Sequence, residues 1–302
     1  MLLYYYREIL EVEFMFTKLT DSVTLKNGVK MPCIAYGTWQ TPDGEITRDG
    51  VCAAIKSGYR HIDTAAAYGN ETSVGEGIRL SGVCREELFI TTKLWVADLG
   101  YENTIKACEE SLKKLGLDYI DLYLIHWPSV KKVSDNWAEI NAETWKAFET
   151  LYKDGKIRSI GLSNFLPEHI EELKNSCEIM PMVNQIEFHP GYIQQSVVDY
   201  CKKEDIVVEA WSPLGSGAVL KDETLLKIAE KYNKSVAQIC VRFALQNEVI
   251  PLPKSVNAER IANNADVFNF EIGAEDMKTI SEMDITGYSG YHPEEAPAFA
   301  LI

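Results

Sequence analysis

Four residues of this 302-residue chain have the types and order of a proton-delivery device: Asp63, Tyr68, Lys93 and His126. A tyrosine hydroxyl, with an ordinary pKa near ~10, is a weak acid at neutral pH. A lysine ammonium beside it favours the phenolate and strengthens the acid. An aspartate beside the lysine keeps it charged and oriented. A histidine can bond a substrate oxygen or help to move the proton. Together they could protonate an oxygen that gains negative charge, as a carbonyl does when it receives hydride. Taken singly, each has a plainer role: a lone Asp after a strand is most often a helix cap, and a lone His is usually a satisfied structural residue.

Such residues cooperate only if the fold brings them together. Short apolar runs alternate with segments of helical period along the chain. The runs predict strands at Ile34–Tyr36, His61–Ala65, Leu88–Leu94, Tyr119–His126, Ser159–Ser163, Val183–Glu187, Val207–Trp211 and Val249–Leu252. Helices are predicted at Thr47–Ser57, Asn103–Leu115, Asn141–Asp154, Pro167–Asn175, Gln194–Glu204 and Val236–Gln246, several of them stopping at a Gly such as Gly58, Gly116 or Gly155. Nearly continuous apolar strands suit a parallel sheet covered by helices, and eight such units predict an α/β fold, a (β/α)8 TIM barrel. Ahead of them, Asn27-Gly28 between alternating residues from Val23 to Met31 predicts a hairpin that caps the N-terminal mouth. Chemistry in this fold gathers where strands end, and the four residues stand at three successive strand ends. Residues 1–15 read as an extension ahead of one barrel domain spanning 16–302, with Met15 a second possible start.

Lys+Arg total 30 against 45 Asp+Glu, a net charge of −15, which argues against a nucleic-acid partner or a polybasic membrane anchor. No run of about eighteen apolar residues predicts a membrane span. The start of the chain lacks the basic segment of a signal peptide, and the seven scattered cysteines include no C-x-x-C pair. A cytoplasmic protein with reduced thiols is expected, a monomer or weak dimer acting on a small molecule.

His61-Ile-Asp63-Thr-Ala-Ala-Ala-Tyr68-Gly-Asn-Glu resembles the first signature of the aldo-keto reductase superfamily. The resemblance continues through Thr92-Lys93-Leu-Trp95, Leu124-Ile-His126-Trp-Pro128, Ile160-Gly-Leu-Ser-Asn-Phe165 and Val183-Asn-Gln-Ile-Glu187. It extends to Trp211-Ser-Pro-Leu214, Ile250-Pro-Leu-Pro-Lys-Ser-Val256 and Arg260-Ile-Ala-Asn-Asn264, covering roughly residues 20 to 285 in the family's order. The bacterial members that reduce aldehydes, diketones and sugar-derived ketones are the most similar.

The resemblance implies that Asp63, Tyr68, Lys93 and His126 form a catalytic tetrad with Tyr68 as general acid, and that the cofactor is NADPH. It implies that Ser163, Asn164 and Gln185 bind the nicotinamide carboxamide, that Trp211 stacks on the ring, and that Ser212, Leu214 and Gly215 pass the pyrophosphate. Lys254, Ser255 and Arg260 would hold the 2′-phosphate and Asn264 the adenine. Trp39, Trp95 and Trp127 would wall the substrate pocket, with the tail from Gly287, carrying Tyr288, Tyr291, Pro293 and Phe299, closing over it. The chain departs from many members at Trp211, Asn257 and Asn263, where Tyr, Thr and Glu are frequent. Consistent with a cofactor held without a Rossmann domain, Gly75-Glu-Gly77 and Gly215-Ser-Gly217 begin like a dinucleotide fingerprint but lack its third Gly.

Three other functions use the same residues. A barrel metallohydrolase would gather His61, Asp63, His126 and His189, with no metal site expected for the reductase. A Schiff-base aldolase would use Lys93. A catalytically idle NADPH-binding sensor subunit would keep the cofactor site without turnover.

Overall fold

The computed structural model describes residues 16–295. The extension at 1–15 and the tail beyond Glu295, including Phe299, lie outside the described residues. A hairpin, β1 (Ser22–Thr24) and β2 (Lys30–Pro32), comes first, followed by β3 (Ala35–Gly37), α1 (Glu45–Lys56), β4 (His61–Asp63), α2 (Glu71–Ser81), β5 (Phe89–Leu94) and α3 (Tyr101–Leu115). Then come β6 (Leu122–Ile125), α4 (Trp137–Lys153), β7 (Ile160–Ser163), α5 (Pro167–Lys174), β8 (Val183–Glu187), α6 (Gln195–Lys203) and β9 (Val207–Trp211). The order ends with α7 (Glu223–Lys231), α8 (Val236–Gln246), β10 (Ile250–Pro251), α9 (Ala258–Ala265) and α10 (Ala274–Ser281).

Strands β3 to β10 pair in chain order, each parallel to its neighbour. The two edges meet where the Gly37 N–H donates to the Pro253 carbonyl at 3.2 Å, so the sheet closes as the (β/α)8 barrel that the alternating pattern predicts. β6 shows why its residues form such a strand: Leu122, Tyr123, Leu124 and Ile125 are all fully buried between the barrel interior and the helices. Burying a side chain of that size contributes about 1.5–3 kcal/mol.

β6 is shorter than its apolar run. Only an isolated bridge pairs Ile120 with Ile157, because the buried Asp121 carboxylate takes the Ile90 N–H at 2.9 Å and reaches Arg85 and Arg158. A side chain here displaces a ladder bond.

The hairpin sits at the N-terminal mouth. Leu25 and Met31 join the core, and the Asn27 amide donates to the Arg158 carbonyl at 2.8 Å, just ahead of β7. At this same end, helices hand the chain back to the strands through glycines: Gly116 ends α3 at φ 67°, a left-handed conformation that costs a glycine nothing. Gly75 has a packing role, since a Cβ there would run into the Leu115 carbonyl at the end of α3. The Gly75-Glu-Gly77 run is thus a close helix approach rather than a phosphate loop.

Candidate active site

Asp63 ends β4, Lys93 lies near the end of β5, and Tyr68 sits in a short 3-10 turn, Ala66–Tyr68, just beyond β4. His126 follows β6, with its N–H on the Leu94 carbonyl. Parallel strands in register carry these residues to one mouth of the barrel. The Lys93 ammonium, with no exposed surface, donates to both Asp63 carboxylate oxygens at 2.7 and 2.8 Å and to the Thr64 carbonyl at 2.9 Å. It also donates to the Tyr68 hydroxyl at 3.4 Å. The Tyr68 ring meets the His126 ring edge to face at 5.6 Å, and Trp95 meets His126 from another side at 5.3 Å. All four predicted residues are therefore together.

Burial alone would strip Lys93 of its proton, but the Asp63 charge and hydrogen bonds, together with the Tyr68 and Glu209 groups, outweigh it and raise its pKa above the ordinary 10.5. Tyr68 behaves differently from the expectation of a strengthened acid. Burial pushes it up to about 12, and the Lys93 charge only partly offsets this. The phenol therefore keeps its proton at neutral pH, which suits a donor. Burial and the Lys93 charge hold His126 well below the ordinary imidazole range, so it acts as a neutral ring.

A cavity of about 800 Å³ opens over this group. At one end it is lined by Asp63, Tyr68, His126, Trp39 and Trp127, and at the other by Lys254, Ser255, Arg260 and Asn264. Between them lie Gln185, Trp211, Ser212 and Leu214. Among the described residues neither Lys254 nor Arg260 has an ion-pair partner, so two uncompensated cations face an elongated cleft. Those cations fit the phosphate end of a dinucleotide, and the broad faces of Trp39 and Trp211, whose rings meet at 6.5 Å, fit its flat end.

Other predicted residues do not line the cavity but hold those that do. The Ser163 hydroxyl donates to the Gln185 carbonyl at 2.9 Å. Asn164, held at φ 63°, donates to the His126 carbonyl and accepts from the Trp211 indole N–H at 2.8 Å. Gly215 packs against Val219 and His189, and Trp95 abuts His126. Asn257 caps α9 by accepting from the Arg260 N–H at 3.0 Å, which places the first turn of that helix at the cleft. The side chains considered as metal ligands do not converge: His61 lies against Thr91 and His189 against Glu187 and Pro190, while Asp63 is taken by Lys93.

Tyr291 of the tail packs edge to face on Trp127 and lines the cavity. The described part of the tail is tied down by Ser289 on the Glu187 carboxylate and by Glu294 on His169. Sequence reading assigned Gly215 to the cofactor and a helix to Val236–Gln246, but not the cleft-lining places of Ser216, Gly217 and Leu220 in the turn Gly215–Lys221 or of Ser235–Ala237 at the start of α8. The Ser235-x-x-Gln238 capping box fixes where that helix starts. Sequence reading also missed Glu209, buried inside the barrel beside Gln185.

The model of the Aldo/keto reductase family matches residues 33–285. The chain belongs to the aldo/keto reductase family. It is an oxidoreductase of that family, 53 % identical over 281 residues to the glyoxal reductase of Bacillus subtilis, covering 93 % of this chain and 99 % of that protein. It is 49 % identical over 277 residues to the 9,11-endoperoxide prostaglandin H2 reductase of Trypanosoma cruzi, covering 91 % and 95 %. Among solved structures, the Bombyx mori aldo-keto reductase in complex with NADP superposes with a TM-score of 0.81 at 39 % identity, covering 91 % of this chain and 98 % of that one. Among the described residues of this family member, no helix is long and apolar enough to cross a membrane.

Proposed function

We propose that this aldo/keto reductase reduces aldehydes or ketones to alcohols with NADPH, Tyr68 giving the proton. One observation carries the reading: a phenol that is a neutral acid at the mouth of a buried Lys93–Asp63 pair, facing a cleft whose far end holds two unpaired cations. Carbonyl reduction needs a hydride, which the reduced nicotinamide supplies when bound, and a proton, which this chain supplies. As negative charge grows on the carbonyl oxygen, the Tyr68 O–H bond breaks and the proton passes to that oxygen. The phenolate left behind is stabilised by the Lys93 ammonium, which Asp63 keeps charged. Neutral His126 orients the carbonyl by a hydrogen bond. Trp39, Trp127 and Tyr291 exclude water and favour a small, flat or apolar carbonyl compound, the class to which a glyoxal-type dicarbonyl belongs. Gln185, with Asn164 holding the Trp211 indole, would seat the nicotinamide, and Lys254 with Arg260 the 2′-phosphate. We place the enzyme in the cytoplasm, since all seven cysteines are unpaired thiols.

The test is Tyr68→Phe, followed by NADPH absorbance with a panel of aldehydes and diketones. Loss of a general acid is expected to lower kcat by about 10²–10⁴, with cofactor affinity retained. Undiminished turnover would overturn the assignment.

A further inference from the structure

Inside the barrel, directly beneath the Asp63–Lys93 pair, lies a second carboxyl group that the reaction as described does not use. Glu209 of β9 is completely buried. Its Oε2 accepts from the Gln185 amide at 3.0 Å, and the same amide nitrogen donates to Asp63 at 2.9 Å. Its Oε1 has no hydrogen-bond partner, and the His61 Nε2 stands 3.7 Å away, beyond bonding distance. An ionised carboxylate with an unpartnered oxygen in the dry interior is costly, whereas the neutral acid is tolerated there.

The groups facing Glu209 can all be named. β4 presents His61 and Asp63, β5 presents Lys93, and β8 presents the neutral Gln185 amide; Ile250, its register partner on β10, carries no charge. Burial, with the Asp63 charge, raises the Glu209 pKa to about 8 against the lowering by Gln185 and Lys93. His61 is pushed down to about 3 by burial and by Lys93, and so stays neutral. Lys93 stays charged. Tyr68, the next group along, sits up at about 12. Within this cluster, Glu209 is the group whose charge is nearest to changing just above neutrality.

Gln185 lines the cleft and contacts both carboxyl groups, so Glu209 stands one side chain behind the cleft wall. We propose that Glu209 makes cofactor binding proton-linked: near neutral pH it stays a neutral acid while the reduced cofactor is bound, and releases its proton to solvent when the oxidised, cationic ring is bound beside Gln185. This rests on the proposed seat of the nicotinamide. The balance is simple: enzyme with protonated Glu209 plus NADP+ gives the complex with ionised Glu209 plus one proton, and no bond to the cofactor forms. By linkage, oxidised cofactor then binds more tightly as pH rises, while reduced cofactor, which carries no ring charge, does not. Glu209 is a positioning residue that acts through Gln185 and its own charge.

The experiment measures the Kd of NADP+ and of NADPH by quenching of protein tryptophan fluorescence, between about pH 7 and pH 9.5. Both forms carry the same 2′-phosphate, whose second ionisation near about 6 is complete over that range. The ratio of the two Kd values therefore cancels everything except the ring. In the wild-type enzyme Kd(NADPH)/Kd(NADP+) is expected to rise about fivefold or more across the range. Glu209→Gln, which preserves the oxygen that accepts from Gln185, should flatten that rise, and Tyr68→Phe should keep it. A flat wild-type ratio, or a rise that survives Glu209→Gln, overturns the proposal. A rise abolished by Tyr68→Phe overturns it too, by assigning the proton to the phenol. A second arm needs neither cofactor nor a folded variant: the infrared spectrum of the free wild-type enzyme should show a buried protonated-carboxyl stretch at pH 7 that disappears toward pH 10. Absence of that band at pH 7 refutes a neutral Glu209. A titrating band without any cofactor quenching would instead refute the seat of the nicotinamide.

Discussion

Replacing Asp63 by Asn leaves the Lys93 ammonium inside the barrel without its counter-charge. Lys93 has no exposed surface, and its two shortest bonds, 2.7 and 2.8 Å, go to the Asp63 carboxylate. Removing one partner of a buried ion pair costs about 3–5 kcal/mol. Asn keeps one acceptor oxygen, and the Thr64 carbonyl at 2.9 Å remains, so the lower end, about 3 kcal/mol, is expected. That is a large share of the ~5–15 kcal/mol that holds a typical domain folded. The pH dependence follows from the sign of the shift. The folded-state pKa of Lys93 is raised above 10.5, so the stability contributed by the pair is complete below that value and is lost as pH rises through the folded pKa. In Asp63→Asn the remaining burial depresses the lysine instead, and deprotonation relieves the variant. The gap between wild type and variant should be widest near neutrality and narrow as pH approaches 10.5. Urea unfolding of wild type, Asp63→Asn, Lys93→Met and the double variant measures this. The double variant should be more stable than the sum of the single losses by about 1–3 kcal/mol. A loss below about 1 kcal/mol in Asp63→Asn, or simple additivity, would refute a mutually dependent buried pair.

Two further outcomes follow from packing and charge. Gly75→Ala should destabilise the fold by about 2 kcal/mol or more, because the new methyl meets the Leu115 carbonyl, which is backbone and cannot swing aside; an unchanged melting temperature would disprove that contact. Replacing both Lys254 and Arg260 by Met should weaken NADPH by about 10-fold or more and NADH far less, since only NADPH carries the 2′-phosphate; equal losses would move that phosphate elsewhere in the cleft.

The eight strands were legible from apolar runs, two of them, Val183–Glu187 and Val207–Trp211, to the residue. β6 was over-read by several residues because a run of residue types does not reveal that Asp121 turns its carboxylate onto the Ile90 N–H. Helices α7 and α10 were missed, being short and bounded by polar segments. The tetrad was legible because chemistry-bearing residues interrupt apolar strands at their ends. The same rule applied to Glu209, a lone carboxyl in Val207–Trp211, yet its position inside the run hid it.

The amino-acid order by itself determined the barrel, the hairpin at its closed mouth and the four residues at the open one. Periodicity and strand ends are local properties that one chain carries in plain view. The tertiary structure alone decided the protonation states. Whether the Lys93 charge or burial governs Tyr68, and whether Glu209 holds a proton, depends on which groups from β4, β5, β8 and β9 share one dry interior. Residues more than a hundred positions apart, such as Asp63 and Gln185, set those charges by standing 2.9 Å from each other.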